Sequence, residues 1–198
     1  MGYAPKDNTM PVFRTVKDAK KGSIRLEAIH QPLYDSTTVV TSTTFQFFSQ
    51  GPNGRTPLET NLQTPGALSW PKRFSVRALR QVTAVGATAF ADMASFLARA
   101  WYRMSVGEKP YLTIPAFLLT AGTGLEAQTL VGATLGTADI VVNHGRPEHR
   151  NIFSLLHSVY LPPVQNFSVE LNINTGLSLS PGFKLWLFLE GELLREIQ

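Results

Sequence analysis

The chain has 198 residues, of which 43% are hydrophobic and only 16% charged, with no cysteine and a formal net charge of +4. Without cysteine there is no disulfide, no thiolate metal site and no cysteine nucleophile. The length suits one domain with a sizeable core. A charge content below the roughly 25% of ordinary soluble domains predicts a surface partly covered by partners.

The first 25 residues hold Lys6, Arg14, Lys17, Lys20, Lys21 and Arg25 against Asp7 and Asp18, and so carry the whole positive excess. Pro5, Pro11 and Gly22 interrupt any periodicity there, so residues 1–22 read as an extended basic arm with a short strand near Val12–Val16. Lys17, Lys20 and Lys21 are its candidate contacts to nucleic acid or to a membrane surface. No apolar stretch has the length of a signal peptide or a bilayer span, so the expectation is a soluble or peripheral protein.

Residues 23–198 read as one strand-rich domain. Ile24–His30 alternates in the manner of a strand and Pro32 closes it. Thr37–Phe48 is dense in β-branched and aromatic residues and predicts one long strand. Ser49–Ser69 is a loop rich in Gly and Pro, long enough to be functional or to reach a neighbour. After a strand over Phe74–Thr83, the spacing of Phe90, Met93, Leu97, Trp101 and Met104 predicts an amphipathic helix over 88–104, capped by Thr88 and ended by Gly107 and Pro110.

Strands are predicted at Tyr111–Thr120, Gln128–Leu135, Ala138–Asn143, Ile152–Leu161, Gln165–Asn174 and Phe183–Leu189, separated by Gly and Pro turns. The last of these is apolar on both faces. Phe183, Leu185, Leu187 and Leu189 lie on one side and Trp186 and Phe188 on the other, so both faces need a cover from the domain or from a neighbour. The fold class that follows is mainly β: an antiparallel sandwich or jelly roll of eight or nine strands with one inserted helix.

Catalytic signatures fail on spacing. There is no G-x-S-x-G elbow, and Gly51–Pro57 lacks the Lys-Ser/Thr of a phosphate loop. His144, His149 and His157 with Glu148 match no metal-ligand spacing. His157 reads as a core or interface residue, and the other two as part of a polar loop. The expectation is therefore a protein that is not an enzyme and has no cofactor, metal or small-molecule substrate.

Lys72, Arg73, Arg77 and Arg80 are interleaved with Trp70 and Phe74. Arg73 and Arg77 share a face of their strand. Such a pattern suits a phosphate backbone, an inter-subunit contact or a solvated face. Candidate interface residues are thus Arg73, Arg77, Trp186 and Phe188. A second reading places a carbohydrate or receptor site in the long loop, with the Trp70 ring stacking on a sugar.

The C-terminal stretch adds a resemblance. Leu161-Pro162-Pro163 leads into the alternating run from Gln165 to Ile173, and Phe183–Gln198 then runs to the end as FKLWLFLEGELLREIQ. Over Ile152–Gln198 this resembles the closing strands of single jelly-roll capsid proteins of tailless icosahedral bacteriophages and environmental viruses. The resemblance implies two four-stranded sheets, a place in the virion, and copies of itself and other virion proteins as partners. The arm would then meet nucleic acid or an internal membrane. The alternative within that setting is a carbohydrate- or receptor-binding domain of a spike or fibre.

Overall fold

A computed structural model describes residues 12–18, 22–41, 43–52, 54–83, 90–119, 126–129, 139–143, 152–174 and 182–197. In chain order the strands are β1 Val12–Asp18, β2 Gly22–His30, β3 Leu33–Val39, β4 Thr44–Phe47 and β5 Arg73–Thr83. Helix α1, Phe90–Arg99, precedes β6 Ala100–Val106 and β7 Lys109–Pro115. A short 3-10 turn at Ala116–Leu119 follows, then β8 Glu126–Thr129, β9 Asp139–Asn143, β10 Phe153–Leu161, β11 Phe167–Ile173 and β12 Phe183–Glu196.

Two antiparallel sheets form a sandwich. One runs β1-β2-β12-β5-β10, with β3 also paired to β12; the other runs β4-β11-β6-β7. Strands β2 and β3 pair with successive halves of β12 and act as one strand broken at Gln31-Pro32. Counted so, the eight main strands pair first with last, second with seventh, third with sixth and fourth with fifth. That nested pairing is the topology of a jelly roll. The extra strand β1 widens the first sheet, and β8 and β9 form a separate hairpin that packs on α1.

Alternation fixes the core. On β12, Phe183, Leu185, Leu187, Leu189 and Leu193 are buried and point at the second sheet, which answers with Val169 and Leu171 of β11 and Tyr102 and Met104 of β6. Gly191 keeps that inward phase where β5 bulges. A Cβ there would meet the Ser75 carbonyl oxygen at 2.0 Å, so no larger residue fits. Inside the core, the Tyr102 hydroxyl donates to Gln81 Oε1 at 2.7 Å, and Gln81 Nε2 donates to the Ala116 carbonyl at 2.9 Å. Tyr102, Gln81 and the Ala116 carbonyl thus satisfy one another, as buried groups require. Burial also raises the Tyr102 phenol well above its ordinary pKa.

Four expected elements have other bounds. The single strand predicted over Thr37–Phe48 ends at Val39 and resumes as β4 in the other sheet. A chain crossing between the layers of a sandwich must break its ladder, although Val39 and Phe47 keep the same inward phase on both sides. The predicted helix over 88–104 stops at Arg99, and Trp101 and Met104 belong to β6. Trp101 and Met104, three apart, lie on opposite faces of the strand, with Met104 alone of the two buried; pairing of β6 on both edges decides the seam. Met93 and Phe96 of the helix enter the core, and Phe96 meets the Phe183 ring edge-on at 5.3 Å. The proposed cap Thr88 lies outside the described residues. Finally, the strand predicted to Thr120 ends at Pro115, and the closing strand extends seven residues beyond Leu189, to Glu196.

Candidate interaction surfaces

The outward row of β12 is Lys184, Trp186, Phe188, Glu190 and Glu192. The long β4–β5 loop folds back over its upper part. Trp186 Nε1 donates to the Leu58 carbonyl at 2.9 Å, Lys184 Nζ lies 2.6 Å from Glu59 Oε1, and the Tyr34 hydroxyl donates to the Pro57 carbonyl. Phe188 is held between the Tyr34 ring, 5.7 Å away, and the Arg80 guanidinium, 4.5 Å from its centroid. The second apolar face of the last strand is thus largely covered by this chain's own loop and by β3 and β5. Trp186 and Phe188 are half-buried.

The Lys184 ammonium and the Thr56 backbone N–H hold the Glu59 carboxyl at a pKa of about 2. Deeper in, Asp35 is buried and its carboxylate takes the Arg55 guanidinium at 2.5 Å and the backbone N–H groups of Ser36 and Phe48. The loop also caps the outer edge of β3: Asn61 Oδ1 accepts from Tyr34 N at 2.9 Å, and its Nδ2 donates to the Pro32 carbonyl at 2.7 Å. An edge that would otherwise offer unpaired backbone is closed.

The arginines predicted to share a face do so, in different states. Arg73 is only 8% exposed and donates to the Tyr160 hydroxyl at 3.2 Å. Arg77 sits at a bulge: the register of β5 passes over it on both sides, and its exposed guanidinium lies 2.7 Å from Glu192. Arg80 pairs with Glu190 at 2.8 Å. Glu192 also takes Arg14 of β1 at 2.8 Å, which lowers the Glu192 pKa and raises that of Arg14. The glutamates of β12 therefore balance this arginine row, which weakens the case for a phosphate-backbone contact there.

Opposite Arg77, β10 spends residues 155–158 where β5 spends one. Leu155 turns to the core, whereas Leu156 is 92% exposed, beside exposed His157 and Ser158. His157 was expected in the core or an interface; it is exposed at the bulge and so is not a core residue, because four residues set against one break the alternation. Strands β3 and β4 meet at one side of the sandwich, which puts on the other the edges of β10 and β7 that pair with no further strand among the described residues. Exposed Tyr160, Tyr111, Phe117 and Leu118 belong to these edges and the turn after β7. Sequence reading missed this flank, since nothing in the run from Leu155 to Ser158 announces which residue leaves the ladder.

Of the basic arm, Val12–Asp18 is a sheet strand. Arg14 is tied to Glu192, and Arg25 lies over the Phe13 ring at 4.2 Å. Lys17 is exposed, while Lys20 and Lys21 lie outside the described residues, as do His144, His149 and Glu148. Among the described residues no group of His, Asp and Glu is placed to hold a metal. Trp70, at the far end of the long loop, is 39% exposed and lines a cleft of about 540 Å³.

No protein-family model matches the chain, and no curated protein matches it in sequence.

Proposed function

We propose that this jelly roll is a structural subunit that assembles with copies of itself, as a component of an icosahedral virion shell, and that it works through its surfaces without catalysis. The observation that carries the reading is the β7–β10 flank. There Leu156 stands almost fully in solvent on the bulge that β10 makes opposite Arg77, with Tyr160 further along the same strand and Tyr111, Phe117 and Leu118 on the same side of the sandwich. Large apolar side chains and tyrosines exposed along one side of a domain have the composition of an interface core. The bulge in β10 blunts that edge against open-ended strand addition, so the flank offers side chains as contacts and limits backbone pairing.

The low charge content supports the same reading, as does the resemblance of residues 152–198 to capsid strands. In such a shell the exposed Lys17 of β1 and the basic residues before β2 face nucleic acid, a membrane or an acidic neighbour. Electron microscopy of the purified chain tests the proposal. Rings, pentamers or shells are expected; a field of separate monomers under all solution conditions contradicts it.

A second reading, recognition of a saccharide, is favoured by one observation, the placement of Trp70 in a cleft of about 540 Å³. The two are compatible, because none of the exposed flank residues Leu156, Tyr160, Tyr111, Phe117 and Leu118 lines that cleft.

A further inference from the structure

The cleft lies where the β4–β5 loop, the β10–β11 turn and the end of β12 meet. We infer that it is a binding site for a short, largely uncharged oligosaccharide, with the Trp70 ring as the stacking wall.

The site is built on a loop that is firmly held. Between Phe48 and Arg73 the chain forms no strand, a length that ordinarily signals a functional segment. Yet its backbone is pinned at successive points: Asn61 to β3, Gly66 N to the Phe48 carbonyl and Phe167 N to the Gly66 carbonyl at 2.7 Å each, and Val164 N to the Leu68 carbonyl at 2.8 Å. A wall fixed in this way loses little entropy when a ligand arrives.

Size and chemistry narrow the ligand. A volume of about 540 Å³ falls in the range of small-molecule sites, roughly 300–1,000 Å³. The floor is apolar, made by buried Leu33, Leu62, Leu68 and Leu193. The rim carries the amides of Gln31 and Gln63, which can both donate to and accept from hydroxyls, and the Glu196 carboxylate, which accepts from them. Its two cations are already engaged, Lys72 with Gln63 at 2.5 Å and Arg195 with Glu27 at 2.9 Å. A phosphate or nucleic-acid site would present cations uncommitted, and a purely apolar ligand would leave the rim amides idle. An aromatic face for the C–H side of a sugar ring, with planar amides for its hydroxyls, fits a saccharide.

The test is a glycan array followed by saturation-transfer NMR on the oligosaccharides that bind, using the intact chain. Binding of a neutral oligosaccharide is expected, weakened at least tenfold by Trp70→Ala and several-fold by Gln31→Ala. Gln31 is an exposed rim residue whose truncation leaves the fold intact, so it guards against a loop rearranged by the loss of Trp70. Trp101→Phe, in β6, leaves binding unchanged. The inference is overturned if no glycan binds, if binding is confined to sulfated glycans, or if both cleft variants bind as the parent does. None of these results bears on assembly through the β7–β10 flank.

Discussion

The Asp35 carboxylate and the Arg55 guanidinium meet at 2.5 Å beneath the long loop, with Asp35 only 2% exposed. This pair joins β3 to the loop, and the same carboxylate accepts from the Phe48 N–H at the start of that loop. Removing one partner of a buried ion pair leaves the other charge uncompensated, which costs about 3–5 kcal/mol. Asp35→Ala is expected to lower stability by about that much, measured by urea unfolding. An effect below about 1 kcal/mol would show that the pair does not anchor the loop.

Acid should release the loop from β12 only at very low pH. The Glu59 carboxyl, held by Lys184, titrates at about 2 against an ordinary 4.5. A depressed carboxylate pKa contributes stability that is full above the unfolded value and is lost as pH falls through the folded one. The contact between Trp186 and Leu58 reports on the loop. In a protein carrying Trp70→Phe and Trp101→Phe, Trp186 emission should stay constant down to about pH 4 and change with a midpoint near 2. A midpoint near 4.5 would mean that Glu59 is unpaired in solution.

Gly191→Ala is expected to be among the most damaging substitutions of a single methyl group in this chain. The new Cβ would lie 2.0 Å from the Ser75 carbonyl oxygen, a contact that forces β12 and β5 apart. Overpacking of this kind costs typically about 1–3 kcal/mol, and backbone provides no flexible end to yield. Thermal unfolding of the variant checks it; an unchanged melting temperature would contradict the register between Glu190 and Gly191.

Much of the fold was legible because alternation survives wherever one face is buried. Phe167–Ile173 and Phe183–Leu189 show it plainly, and both are strands with the expected inward residues. What failed were seams. The passage from Val39 to Thr44 crosses between sheets without any change in residue type, and Ala100 begins a strand directly after a helix. Neither event alters local composition, so only pairing partners far along the chain reveal it.

The interaction surfaces were half legible. Trp186 and Phe188 were rightly seen as an apolar second face, but the sequence left open whether the domain or a neighbour covers it; Tyr34, Arg80 and the loop carbonyl of Leu58 largely do. Arg73 and Arg77 were placed on one face, whereas their unequal burial depends on a bulge that no residue pattern encodes. The Leu156 flank went unseen for the same reason.

Assembly through that flank is the central claim, and sedimentation velocity on the parent chain and Leu156→Glu tests it most directly. Because the Leu156 side chain contributes nothing to the core, the variant should keep its circular dichroism and unfold within about 0.5 kcal/mol of the parent. The parent is predicted to sediment as a concentration-dependent oligomer at high micromolar concentration and the variant as a monomer. A parent that stays monomeric there, or an oligomer that Leu156→Glu leaves intact, would contradict the account.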